Sequence, residues 1–146
     1  MKFVVYLAGQ IHDDWREDLI SEVEKRGLNF EFVSPQTDHE VSDDIGEKIL
    51  GEQPGKCYRD EAASAINNFR TNVLMEKADI VIALFGDQYR QWNTAMDATT
   101  AVNKGKPLII VRPEELIHAL KELSNKANVT VERIEQAVEV LEYITK

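Results

Sequence analysis

The sequence predicts a single-domain, doubly wound α/β fold of Rossmann or flavodoxin type, with a parallel sheet of about four to five strands flanked by helices. Three observations predict it. Asp79–Phe85 and Leu108–Arg112 are nearly continuous in apolar residues, as strands buried on both faces of a parallel sheet should be. Segments of helical periodicity alternate with the strands along the chain. The 146 residues, 43% of them hydrophobic, suffice for one domain over residues 1–146 that buries a sizeable core without metals or disulfides.

Taken in order, Lys2–Ala8 is apolar and β-rich and ends at Gly9, giving the first strand. Trp15, Leu19, Val23 and Arg26 then recur at helical spacing behind a cap at Asp13 or Asp14, and Gly27 stops the pattern. Asn29–Ser34 follows as a second strand. Ser34–Tyr58 reads as the least regular region, with Pro35, Gly46, Gly51, Pro54, Gly55 and many acids. A loop of that length in a compact domain is expected to bind or cover a ligand.

Ala62, Ile66, Phe69 and Val73 mark a helix over Asp60–Lys77. On a second stripe of that helix, Asp60, Ser64, Asn67 and Thr71 place short hydrogen-bonding side chains where Lys and Glu are usual. They either cap and solvate the helix or border a polar cleft. Asn93–Lys104 is a helix between the third and fourth strands, and Glu114–Leu123 is expected to be helical. Val131, Ile134, Val138 and Leu141 define a last helix starting at Thr130.

This alternation implies the strand order 2-1-3-4, whose topological switch lies between the first and third strands. Ligands bind at such a switch, which selects the loops Gly9–Asp14 and Gly86–Trp92, the start of the following helix, and Ser34–His39.

Composition narrows the function. The chain carries 26 acidic and 17 basic residues, a formal net charge of −9, and no basic run that could track a phosphate backbone. Long nucleic acid is therefore not an expected partner, although one local Arg can still hold a small anion. No apolar run approaches the roughly 20 residues of a membrane helix, and no signal-like start is present, so the reading is a cytoplasmic protein with no membrane association. Cys57 is the only cysteine and stands in no nucleophile motif. No GxGxxG follows the first strand, and Gly51–Cys57 lacks the spacing and Ser/Thr of a triphosphate loop. Neither HExxH nor zinc-type Cys/His spacing occurs, so no metal and no cofactor is expected.

Several segments resemble the nucleoside 2-deoxyribosyltransferase superfamily: Tyr6-Leu7-Ala8-Gly9, Ala78-Asp79-Ile80-Val81-Ile82-Ala83, Asn93-Thr94-Ala95-Met96-Asp97 and Gly105-Lys106-Pro107. Its YtoQ branch is matched more closely, through Gly9–Glu17, Pro35–His39, Phe85–Asn93 and Asp97-Ala98, so that the resemblance runs over nearly the whole chain. In that superfamily a Glu on the helix after the third strand attacks C1′ of the sugar. Asp97 stands in its place, eight residues before Gly105. An ionised carboxylate suits such chemistry, since it can trap an oxocarbenium-like centre. Where the superfamily carries a base-recognising Asp, this chain has Thr71. The Asp-Ser-Gly-type approach to the nucleophile is replaced by Tyr89-Arg90-Gln91-Trp92-Asn93.

The resemblance implies cleavage or transfer of the N-glycosidic bond of a small-molecule nucleoside or nucleotide. It also implies a homodimer or larger homo-oligomer, because members often complete their sites across a subunit interface. Asp97 is the candidate nucleophile. Spacing alone instead places it on the outer face beside Asn93, Thr100 and Lys104, with Ala95, Ala98 and Val102 buried. His12 is the candidate acid for the departing base, the alternative being a hydrogen bond to Asp13 or Asp38. The candidate substrate contacts, drawn from the switch-point loops and the matched motifs, are Tyr6, Gly9, Trp15, Asp38, Asn67, Thr71, Gly86, Asp87, Tyr89, Trp92 and Asn93. Trp15 and Trp92 either stack on a base or sugar or pack a helix on the sheet. Arg59, Arg70 and Arg90 are candidate phosphate holders, with surface ion pairing as the alternative for the first two. A non-catalytic nucleotide-binding module on the same fold is the competing reading.

Overall fold

Two registers of side chains on the strands organise the molecule. In a computed structural model, which describes residues 2–86 and 90–146, β1 (Phe3–Ala8), β2 (Phe30–Val33), β3 (Ile80–Leu84), β4 (Leu108–Val111) and β5 (Val129–Val131) form one parallel sheet. Their order is β2-β1-β3-β4-β5. Successive residues of a strand point to opposite faces. Val5 and Leu7 of β1 accordingly join Ile82, Ile109 and Val111 on one face, beneath α1 (Trp15–Lys25) and α6 (Ile134–Ile144). Tyr6 and Ala8 join Val81, Ala83, Leu108 and Ile110 on the other. That second face packs against Met75 of α3 (Lys56–Lys77) and Ala98 and Ala101 of α4 (Trp92–Asn103).

The expected order 2-1-3-4 is present, with β5 added at the β4 edge. The chain from Thr130 was expected to be helical, yet α6 begins only at Ile134, after an extended Arg133. Val131 still lies against the same core as Ile134 and Val138, so one apolar pattern runs across strand and helix. The β-branched Val129-Thr130-Val131 favours a strand locally. Asn128 fixes its register, its amide donating to Leu108 O at 3.0 Å and its side-chain oxygen accepting from Leu108 N at 2.9 Å.

A second correction concerns Ser34–Tyr58. It contains a helix, α2 (His39–Leu50), capped by Asp38, whose Oδ1 accepts from Val41 N at 3.1 Å. The helix ends at Gly51. It packs on α3 through Gly46, where an added Cβ would lie 2.4 Å from Ala63 N and 2.6 Å from Ala62 C. The contact is backbone against backbone at Gly46, a residue that reads as a helix breaker, while Val41 and Ile49, at helical spacing with Ile45, face solvent. α3 itself starts four residues earlier than expected, at Lys56. Glu114–Leu123 is not one helix but a 3₁₀ turn, Glu114–Leu116, followed by α5 (Lys121–Lys126). Among the described residues, no helix is long and apolar enough to cross a membrane.

Candidate active site

β2 and β3 flank β1, and their connections leave to opposite sides, which opens a crevice at the carboxyl ends of the strands. A cleft of about 820 Å³ occupies it, walled by the loop after β1, by α2 and α3, and by the first turns of α4. The polar stripe of α3 forms one wall: Asp60, Ser64, Asn67 and Thr71 all line the cleft.

Asp97 lies on its floor. Although the spacing of α4 placed this carboxylate outward, it is only 8% exposed. Tyr6 explains the difference. Its ring is fully buried on the α3/α4 face of the sheet, and its hydroxyl donates to Asp97 Oδ2 at 3.5 Å, the outer limit of a hydrogen bond. Thr71 hydrogen-bonds in turn to the same phenol, linking α3, β1 and α4. Burial raises the Asp97 pKa from 3.8 to about 6, against the Tyr6 hydrogen bond and the charge of Arg16, both of which lower it. Burial and then the neighbouring Asp97 charge push Tyr6 above the usual phenol range, so it remains a donor. A carboxyl titrating near neutrality in a cleft is the behaviour expected of a working group.

Arg16 is the buried cation nearby, 7% exposed at the start of α1. Among the described residues it pairs with no carboxylate. Its Nη1 donates to Gln10 O at 2.7 Å, Nη2 to Gly9 O at 3.0 Å and Leu7 O at 3.1 Å, and Nε to Leu7 O at 3.3 Å. The guanidinium thus holds the turn out of β1 in shape. Burial lowers its pKa, and the charges of Tyr6, Asp13, Glu17 and Asp97 oppose that.

The other candidate residues divide cleanly. Gly9, His12, Trp92 and Asn93 line the cleft with Asn67, Thr71 and Asp97. The His12 ring meets His39 edge-on, with centroids 6.0 Å apart, and His39 Nε2 lies 3.2 Å from Asp43 Oδ2. Asn67 is partly committed to structure, its Nδ2 donating to Ser42 O at 2.9 Å and Ser42 Oγ at 3.1 Å.

Four candidates fall outside the cleft walls, the first being Tyr6, whose fully buried ring reaches the site only through Asp97. Trp15 is core, 4% exposed, with its indole N–H donating to Gln10 O at 3.0 Å. It also explains Gly9, where a Cβ would sit 2.6 Å from Trp15 Cζ2. Asp38 is spent capping α2. Gly86 is closed off by the Gln91 amide, which accepts from Gly86 N at 3.2 Å and donates to Gly86 O at 3.1 Å. Asp87 and Tyr89 lie outside the described residues. Arg59 is taken by Asp44 and Glu47 of α2, a helix-to-helix ion pair rather than a ligand contact.

Ser42 and Asp43 line the cleft but escaped sequence reasoning, since α2 was not foreseen. An Asp cap at Asp38 and a glycine stop at Gly51, twelve helical residues apart, are the signal that would have found them. Among the described residues, no group of three or more His, Cys, Asp or Glu is placed to hold a metal ion.

Comparison with known proteins agrees with this architecture. The family model described as nucleoside 2-deoxyribosyltransferase YtoQ matches residues 6–145. The YtoQ protein of Bacillus subtilis strain 168 is 59% identical over 144 residues, covering 99% of this chain and 97% of that protein. A conserved protein of Enterococcus faecalis V583 superposes with a TM-score of 0.65 at 14% identity, over 95% of this chain and 96% of the other. The 2-deoxyribosyltransferase of Bacillus psychrosaccharolyticus gives 0.58 at 20% identity, over 92% and 90%. The CMP N-glycosidase BcmB of Clostridium botulinum gives 0.54 at 18%, over 96% and 98%. At these identities the three structures establish a shared Rossmann-like fold. The near full-length family match and the 59% identity go further, and the chain belongs to the YtoQ family of nucleoside 2-deoxyribosyltransferase-like proteins.

Proposed function

We propose that this protein cleaves or transfers the N-glycosidic bond of a nucleoside or nucleoside monophosphate, with Asp97 as nucleophile. The observation that carries the reading is a buried carboxyl on the cleft floor, hydrogen-bonded to Tyr6 and raised to about 6. At neutral pH most of it is ionised, yet it is poorly solvated and so keeps its nucleophilicity. Its oxygen attacks C1′ while the C1′–N bond breaks, and the departing base takes both bonding electrons and a proton from His12. The resulting glycosyl ester of Asp97 is then opened at C1′ by water or by a second base, whose proton passes to His12 as the C1′–O bond breaks and the carboxylate returns.

The competing reading is a binding module that has the cleft without the chemistry. Thr71 favours it, being a neutral residue where the resemblance leads one to expect a base-recognising carboxylate.

A chromatographic assay of free bases released from a panel of nucleosides and monophosphates, with and without added adenine, separates the two. Release by the wild type that vanishes in Asp97→Asn supports glycosidic chemistry, and new nucleosides appearing only with adenine indicate transfer. Equal ligand affinity in both proteins without product supports the binding module.

This reading assigns the protein to the cytoplasm and to a homodimer or larger assembly. Trp92 and Met96 of α4 and Phe69 and Val73 of α3 are exposed, an apolar surface suited to a second copy. Light scattering that gives a monomer at micromolar concentration would overturn the assembly.

A further inference from the structure

Three of the seven arginines lie beside carboxylates, whereas among the described residues Arg16, Arg70, Arg90 and Arg133 do not, and of these four only Arg70 and Arg90 line the cleft. Arg26 pairs with Glu22 and Glu142, Arg59 with Asp44 and Glu47, and Arg112 lies 3.9 Å from Glu132. Arg70 has no carboxylate partner among the described residues, in a chain with 26 carboxylates. It lines the cleft and is half-buried. Its Nη1 donates to Ser34 O at 2.8 Å, just past the end of β2, which fixes the guanidinium and leaves its other N–H groups uncommitted. Its charge is felt at the Tyr6 phenol, the partner of Asp97, so it sits close to the reacting end of the cleft.

A fixed, unpaired guanidinium offers a planar fork of donors matched to a phosphate or carboxylate, and such charge-assisted bonds are about twice as strong as neutral ones. The overall charge of −9 repels an anionic ligand at long range, so a local cation has to supply the attraction. None of the three acids that line the cleft pairs with Arg70, and Asp97 is hydrogen-bonded to Tyr6 instead. Asp43 is matched to His39 at 3.2 Å, and Asp60 lies ten residues before Arg70 on α3, about 15 Å away along the helix axis. Arg90, across the cleft, instead rests its guanidinium over the Trp92 ring at 5.6 Å.

Building on the glycosidic reading above, we infer that Arg70 grips the phosphate of a nucleoside monophosphate, making the phosphorylated compound rather than the free nucleoside the preferred ligand of this cleft. A uronic-acid-type carboxylate on the sugar has the same chemistry, and the ligand panel distinguishes the two.

The test is calorimetric titration of Asp97→Asn, in which turnover cannot obscure binding, with adenosine, cytidine, their 5′-monophosphates and adenosine-5′-carboxylate. The same ligands are then titrated into that variant carrying Arg70→Gln or Arg70→Lys. We expect each monophosphate to bind at least tenfold more tightly than its nucleoside, and Arg70→Gln to cut that preference at least tenfold, with Arg70→Lys between. Equal binding of nucleoside and monophosphate overturns the inference, as does a preference that survives Arg70→Gln in a protein of unchanged circular dichroism. Tighter binding of the 5′-carboxylate than of the monophosphate overturns the phosphate assignment. Arg70-dependent monophosphate binding with no base released by the wild type upholds the inference and overturns the glycosidic reading. Nucleosides cleaved as efficiently as monophosphates do the reverse.

Discussion

The Tyr6 hydroxyl stands 3.5 Å from Asp97 Oδ2, so two acids from different elements are desolvated against one another and only one of them ionises near neutrality. If Asp97 is the nucleophile, its ionised form is the active one. We expect kcat/KM to rise through an apparent pKa of about 6, falling roughly tenfold below its plateau at pH 5. Tyr6→Phe removes a hydrogen bond that lowers the Asp97 pKa, so its rising limb should move to higher pH. A profile flat from pH 5 to 8, or a limb displaced to lower pH in Tyr6→Phe, would contradict this assignment.

The same burial has a cost in stability. The folded protein holds the Asp97 proton more tightly than the unfolded chain does, because the pKa is raised from 3.8 to about 6. The stabilising contribution of the protonated group is therefore complete below about pH 3.8 and is lost as the pH climbs through about 6. Asp97→Asn cannot ionise, so it should be more stable than the wild type at pH 7.5, by about 1–3 kcal/mol. The gap should close toward pH 4. Denaturant unfolding at both pH values measures it, and a pH-independent gap would argue against a desolvated carboxyl.

Much of this arrangement is legible in the sequence, for identifiable reasons. The strands β1, β3 and β4 are buried on both faces and announce themselves as apolar runs, and their order fixes the switch point that opens the cleft. The stripe Asp60, Ser64, Asn67 and Thr71 is readable because a surface helix has little reason to place only short polar side chains along one edge. α2 is harder to read, since Val41, Ile45 and Ile49 keep a helical spacing but Gly46 reads as a breaker where it seats the helix on the α3 backbone. Spacing alone does not reveal the burial of Asp97, which depends on a tyrosine ninety-one residues away.

Gly46 makes that point testable. Its missing Cβ would meet backbone atoms of Ala62 and Ala63, which cannot rotate aside. In an isolated helix Gly→Ala stabilises by roughly 0.5–1 kcal/mol. Here the two helices are forced apart, and we expect Gly46→Ala to destabilise by about 1–3 kcal/mol instead. Ser42 and Asp43 would move with α2, so ligand affinity should fall as well. A higher melting temperature for Gly46→Ala would show that the contact is looser than the geometry indicates.

Arg16 joins stability to chemistry through one side chain. Its N–H groups reach three carbonyls, those of Leu7, Gly9 and Gln10, and its charge lowers the Asp97 pKa. Arg16→Met keeps comparable bulk while stranding those carbonyls, at a cost on the order of 3 kcal/mol. It should also shift the acid limb of kcat/KM upward, because one of the two groups favouring the ionised carboxylate is gone. Arg16→Lys separates the two effects. An ammonium retains the charge but cannot reproduce the fork, so the limb should stay closer to the wild type while the melting temperature still falls. A purely structural role for Arg16 predicts lower melting temperatures in both variants with the pH limb unmoved, and that outcome would remove Arg16 from the electrostatics of the site.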